Sequence, residues 1–192
     1  MRKRRIIGFV SIILLASLMI GGSPTATAWA AQGHFKGIHI VFFPGGSEGG
    51  PFASVVYRGA KAAEEDLGCK VDYVWSGWLP DKMVAQFKDA IAKRPDGIAV
   101  MGHPGVMAYQ PLVDEAVAKG IIVTSQNTTL PRLEDRYKGD GFGYVGQELY
   151  ESGYMLGKEA VRRFGLEAGN QAMVWGLLSQ PTRGLRTKGA ID

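Results

Sequence analysis

The chain has 192 residues, with 22 Lys+Arg against 18 Asp+Glu and one cysteine. Four of those bases and none of the acids lie in residues 1–30, so the remainder carries 18 of each and is formally neutral; the surplus of base gives no reason to invoke nucleic acid. The lone Cys69 excludes an internal disulfide, and three histidines with no His-Glu-x-x-His or Cys-x-x-Cys spacing point away from a metal centre.

In chain order, Arg2 to Arg5 form a positive segment, Ile6 to Ile20 an uncharged apolar run, and Ala28-Trp29-Ala30 a small-x-small site. This is the pattern of a secretory signal peptide over residues 1–30, cut ahead of Ala31, which sends the mature chain to the periplasm. The competing reading is a membrane anchor, but the apolar run is short of the ~20 residues that a span needs.

Strands and helices then alternate. Gly37 to Phe43 is apolar and β-branched and predicts a strand, followed by a glycine-rich loop to Pro51. Phe52 to Leu67 has helical spacing, with Phe52, Val55, Val56, Gly59, Ala60, Ala63 and Leu67 on the expected inward face; Pro51 opens the helix and Gly68 closes it. Lys70 to Trp75 predicts a strand, preceded by Cys69 as a small core residue, and Asp81 to Lys93 a helix with Val84, Phe87 and Ile91 inward. Gly97 to Met101, Ala108 to Lys119 and Ile121 to Ser125 continue as strand, helix and strand. Such alternation predicts an α/β fold, an open parallel sheet with helices on both faces. A polar, glycine-rich connection over 126–143 leads to a short strand at Tyr144-Val145, a helix over Glu148 to Phe164, a strand over Met173 to Leu178 and a helix start at Gly184. The expected organisation is a first lobe over residues 31–143, then a crossover and an incomplete second lobe over 144–192, as in a fragment of a longer protein. A lobe so incomplete is expected to hold a ligand less tightly than a finished one.

Open parallel sheets bind ligands beyond the carboxyl ends of their strands. That rule selects Phe43 to Phe52, then Trp75, Ser76 and Trp78, then Gly102 and His103, then Ser125, Gln126 and Asn127, with Gln147 and Glu148 near the crossing and Ser179, Gln180, Arg183 and Arg186 beyond. Aromatic faces pack on the C–H face of a sugar ring, while amides and guanidinium groups bond its hydroxyls. The bland alternative makes the aromatics core and the polar groups helix caps.

Five segments in order strengthen the ligand reading. PFASVVYRGAKAAEEDLGCKV (51–71), RPDGIAVMGHPG (94–105), VAKGIIVTSQN (117–127), GQELYESGYMLGKEAV (146–161) and RGLRTKG (183–189) resemble the corresponding segments of ribose-type periplasmic sugar-binding proteins. The resemblance implies a type I periplasmic-binding-protein lobe plus the start of a second similar lobe. It implies a binder that captures a small neutral sugar or polyol and delivers it to the permease of an ABC-type importer. No enzyme activity, cofactor or nucleic acid is implied, and a monomer is expected. By the same resemblance Phe52 stacks on the sugar, Asn127 stands for the carboxylate or amide that binds hydroxyls, and Arg186 is the second-lobe arginine, with Arg183 the lesser candidate. Glu148 stands where the family usually has Asp, and as a helix-opening charge it has an equally good local role. Ala53 replaces a second aromatic of the ribose binders, a face that Trp75 and Trp78 can supply; Gln126 completes the expected set.

Two alternatives remain. Gly45 to Gly49 (GGSEG) matches the Gly-x-Ser-x-Gly of a secreted α/β hydrolase with Ser47 as nucleophile, but Gly49-Gly50-Pro51 lengthens a turn that chemistry needs sharp. A sugar-sensing regulator core would keep the fold, although an export signal and the lack of a DNA-binding segment argue against it.

Overall fold

The structure is a computed structural model and describes residues 34–176, 178–180 and 182–192. The expected signal peptide lies outside the described residues. Among those described, no helix is long and apolar enough to cross a membrane.

Five strands form one parallel sheet: β1 (His39–Phe42), β2 (Lys70–Tyr73), β3 (Gly97–Met101), β4 (Ile122–Gln126) and β5 (Tyr144–Val145), in the order β2-β1-β3-β4-β5. The helices are α1 (Pro51–Leu67), α2 (Pro80–Ala92), α3 (Val106–Ala118), α4 (Pro131–Tyr137), α5 (Leu149–Phe164) and α6 (Gly184–Ile191). Pro51, Pro80 and Pro131 each open a helix, where the missing N–H costs nothing and the fixed φ suits the first turn. β5 pairs with β4, so the strand expected to start the second region belongs to the first sheet.

Alternation along the strands decides what each helix covers. Val41, Ile98, Val100 and Val123 are buried in one core with Phe87 and Ile91 of α2 and Tyr109 and Val113 of α3. The Phe87 and Tyr109 rings meet edge to face at 5.2 Å. Each side chain of this size contributes ~1.5–3 kcal/mol on burial. On the opposite face Phe42 meets Tyr73 at 6.1 Å, and Tyr57 of α1 meets the same Tyr73 at 4.7 Å. Helices therefore cover both faces, as expected from the alternation.

The inward face of α1 differs from the expected one. Phe52 and Val55 are exposed, only Ala53 is buried, and Tyr57 and Glu64 turn toward the sheet. The reason is the free edge of β2. Glu64 accepts hydrogen bonds from the Val71 N–H at 3.0 Å and the Tyr73 hydroxyl at 3.1 Å, so the helix caps an unpaired edge with a carboxylate. Burial pushes the Glu64 carboxyl up, but the bonds from Lys61, Val71 and Tyr73 outweigh it and hold it below the usual range.

The polar, glycine-rich connection over 126–143 contains α4 and a 3-10 turn at Lys138–Asp140. Leu130 and Leu133 are buried there, and the Tyr137 hydroxyl donates to Asp114 of α3. The strand expected at Met173 to Leu178 is not formed at the residues described; Met173 and Trp175 are exposed and no neighbouring strand offers a ladder. Beyond the sheet, α5 and α6 pack backbone to backbone. A methyl group on Gly153 would stand 2.0 Å from the Arg186 carbonyl oxygen, and one on Gly189 2.1 Å from that of Tyr150, so neither position has room for a side chain.

Candidate functional site

The carboxyl ends of β1, β3 and β4 face one cleft, and two backbone strains shape it. Trp78 follows β2 with φ of 64°, the left-handed region that bulky residues rarely adopt. It is held there because its N–H donates to the Gly45 carbonyl at 3.0 Å and the Gly77 N–H donates to Gly46 at 3.1 Å. The glycine loop after β1 thus serves as a seat for the Trp78 ring; a methyl group on Gly46 would lie 3.0 Å from that ring. Asn127, just past β4, also has a left-handed φ of 59°, and its N–H donates to Val145 of β5 at 2.9 Å. Strain of this kind costs ~1–3 kcal/mol and concentrates at binding sites. Gly102 completes the floor: a methyl group there would stand 2.1 Å from the Thr128 carbonyl oxygen, so only glycine lets β3 end against the loop after β4.

The result is a cleft of about 410 Å³ between the sheet and α6, within the size range of small-molecule sites. From the sheet side come Phe52, Trp78, His103, Asn127 and Thr128; Arg183, Arg186 and Thr187 come from the start of α6. The aromatic groups form a continuous wall. Trp78 lies 5.5 Å from Phe52 and 5.3 Å from the His103 ring. The Arg183 guanidinium lies over Trp78 at 5.9 Å, a cation–π contact.

His103 and Thr128 are the buried polar members of the cleft. Burial, with the positive charges of Arg183 and Arg186, lowers the His103 pKa to about 3, so the imidazole is neutral at physiological pH. Its Nδ1 is 3.1 Å from the Thr128 hydroxyl, and its Nε2 is buried without a hydrogen-bond partner. Burial and the neighbouring Arg186 also pull the Arg183 guanidinium down.

Five expected residues therefore meet: Phe52, Trp78, Asn127, Arg183 and Arg186. Three others lie elsewhere. Trp75 packs on Tyr57 at 5.5 Å and lines an open groove beside β2 with Glu48, Asp72 and Lys93. Gln126 donates to the Phe43 carbonyl at 2.8 Å, tying β4 to the end of β1. Glu148 caps α5, accepting from the Tyr150 N–H at 3.3 Å. In each case the side chain meets a local partner and does not line the cleft. His103, Thr128 and Thr187 line the cleft without having been assigned a role. His103 did stand at a strand end, but burial against Trp78 left no mark in the sequence.

Catalytic geometry is not assembled around Ser47. It is exposed in a turn closed by the Gly50 N–H on its carbonyl, and the hydrogen bond of His103 goes to Thr128. Among the described residues no group of three or more His, Cys, Asp and Glu side chains could hold a metal ion.

Comparison with known proteins adds the context of the fold. A family model described as a periplasmic binding protein domain matches residues 40–192. No curated protein matches the chain. Among solved structures, a glucose-galactose binding protein from Geobacillus stearothermophilus is similar at 23% identity with a TM-score of 0.62, over 80% of this chain and 52% of that one. An ABC transporter solute-binding protein from Burkholderia graminis, in complex with D-arabinose, is 21% identical with a TM-score of 0.66, over 81% of this chain and 51% of its own. A periplasmic solute-binding protein from Actinobacillus succinogenes with bound D-allose is 20% identical with a TM-score of 0.63, over 80% and 52%. The chain thus spans about half the length of these structures.

Proposed function

Since the chain belongs to the periplasmic binding protein domain family, one of substrate-binding proteins rather than enzymes, we propose that it takes part in capturing a small sugar or polyol in the periplasm for an ABC-type importer. One observation carries this reading: Phe52, Trp78 and Asn127 from the sheet and Arg183 and Arg186 from α6 converge on one cleft. The aromatic wall suits the C–H face of a ring, and amide, hydroxyl and guanidinium groups suit its hydroxyls. The sugar and polyol ligands of similar folds, D-arabinose, D-allose and allitol, support the same class. In this reading the sheet with its helices is the first lobe, α5 and α6 belong to a second, residues 1–30 direct export, and the protein works as a monomer.

Tryptophan fluorescence tests it directly, because Trp78 and Trp175 line the cleft. Titration with D-galactose, D-arabinose, D-allose and allitol is expected to give a saturable change with at least one. Asn127→Ala should weaken that binding by about tenfold, the loss of a hydrogen bond of ~1–1.5 kcal/mol. No saturable change with any of the four at millimolar concentration, or binding untouched by Asn127→Ala, would remove the reading. Cell fractionation of an exported version checks the location; recovery in the cytoplasm with residues 1–30 intact would contradict it.

A further inference from the structure

β2 is the outermost strand of the sheet, at the edge opposite β5, from which the chain runs on to α5. The Lys70 and Val74 N–H groups donate to Ile38 and Phe42 on the β1 side, each at 2.9 Å, so Val71, Tyr73 and Trp75 turn their N–H and C=O groups outward. Two side chains close this outer edge. The Glu64 carboxylate of α1 accepts from the Val71 N–H at 3.0 Å, and the Gln86 amide of α2 donates to the Trp75 carbonyl at 3.2 Å. Each cap is itself held. Lys61 donates to Glu64 at 2.8 Å and the Tyr73 hydroxyl at 3.1 Å, while the Gln86 oxygen accepts from the Ser76 hydroxyl at 2.8 Å. Helices on opposite faces of the sheet therefore each place one polar group on the same edge, one on either side of Tyr73.

We propose that Glu64 and Gln86 form a guard against self-association, and that the partner they exclude is β2 of a second copy of this chain. The outward groups are self-complementary about a two-fold axis through Tyr73. In an antiparallel pairing Tyr73 faces the second copy's Tyr73, each donating its N–H to the other's carbonyl, and Val71 faces the second copy's Trp75 at both ends. That register sets ring against ring and a β-branched side chain against an indole, both favoured cross-strand pairs, with Asp72 opposite Val74. Sliding one strand by two residues instead brings the two Asp72 carboxylates directly across from each other, which disfavours it. The bond that closes each end of the favoured register runs from the Val71 N–H to the second copy's Trp75 carbonyl. Both caps deny it: Glu64 holds the donor, Gln86 holds the acceptor, and the Glu64 carboxylate fills the place that the incoming carbonyl needs. The edge thus stays unpaired, and one sheet does not extend into another. This inference is independent of the ligand that the cleft takes.

Analytical ultracentrifugation of the purified protein over a range of concentrations tests it. The double variant Glu64→Ala/Gln86→Ala is expected to self-associate at least about tenfold more tightly than wild type, since a hydrogen bond is freed at each end of the pairing. Glu64→Gln, which keeps an oxygen for the Val71 N–H, should behave as wild type. Adding Tyr73→Lys to the double variant sets like charges against each other on the two-fold axis and should return association to the wild-type level. Adding Phe164→Ser, on the exposed face of α5, should leave the association unchanged. Circular dichroism of each variant separates lost pairing from lost folding. Glu64→Ala alone, expected to show a smaller gain, carries the test should the double variant not fold. Folded variants without their caps that associate no more tightly than wild type overturn the inference. So does Glu64→Gln associating as tightly as the double variant. An association that survives Tyr73→Lys, or that Phe164→Ser abolishes, overturns it as well, because the contact then lies away from β2.

Discussion

The sheet with α1 to α4 and the pair α5–α6 are held together by different physics. In the sheet region Val41, Phe87, Ile91, Val100, Tyr109 and Val113 are fully or almost fully out of water, locked between strands and helices. In the helix pair the buried positions include glycines, Gly153, Gly184 and Gly189, while Met155, Leu156, Val161 and Phe164 of α5 remain exposed. The first region is stabilised by apolar area removed from water. The second is aligned by close backbone approach, which fixes geometry but removes little apolar surface. Arg183 and Arg186 stand on the second region, so the cleft joins a wall backed by a packed apolar core to one aligned by glycine contacts.

Substitutions that separate the two regions should show graded effects. The largest is Phe87→Ala, which opens a cavity in the sheet core and is expected to cost ~3–5 kcal/mol in urea unfolding. Next is Gly153→Val. Its side chain collides with the Arg186 carbonyl, so α5 and α6 must part, at ~1–3 kcal/mol. The informative readout there is ligand affinity, because displacing Arg186 should weaken binding even where the sheet core stays folded by circular dichroism. Equal loss of core and cleft in Gly153→Val would mean that the regions are one cooperative unit.

A smaller effect is expected at the edge of β2. The Glu64 carboxyl is held below its usual range, so it contributes stability above that range and loses it as pH falls through the lowered value. Glu64→Gln should cost about 1 kcal/mol at pH 7 and flatten the fall in stability below about pH 4.5, measured by thermal unfolding across pH. A wild-type pH profile in the variant would mean that Glu64 does not cap the edge. The smallest change is expected for Phe164→Ser. Exposed at the end of α5, it should alter stability by no more than about 0.5 kcal/mol. A cost comparable to Phe87→Ala would erase the contrast between the regions.

Much of the fold was legible before any coordinates. Pro51 and Gly68 bracket α1, and β-branched runs mark β1, β3 and β4, because these signals act within a few residues. The α4 helix was not, because Pro131 opens only seven residues whose burial depends on docking Leu133 and on Tyr137 reaching Asp114. The site divides in the same way. Phe52, Trp78, Asn127, Arg183 and Arg186 line one cleft, and they stand at chain positions where parallel sheets and the family resemblance place ligands. Trp75, Gln126 and Glu148 met the same criterion and were claimed by Tyr57, the Phe43 carbonyl and the Tyr150 N–H.

By itself the sequence determined the alternation of strand and helix, the parallel sheet it implies and the strand ends where a ligand could lie, all consequences of local period and of turns. Only the tertiary structure decided which side of α1 meets β2, that His103 is buried beside Trp78, and that Arg183 and Arg186 line the same cleft as Phe52 and Asn127. Periodicity says which residues share a face. What that face meets depends on segments far apart in the chain, such as Asn127 and Arg186, and on which partner satisfies each buried polar group first.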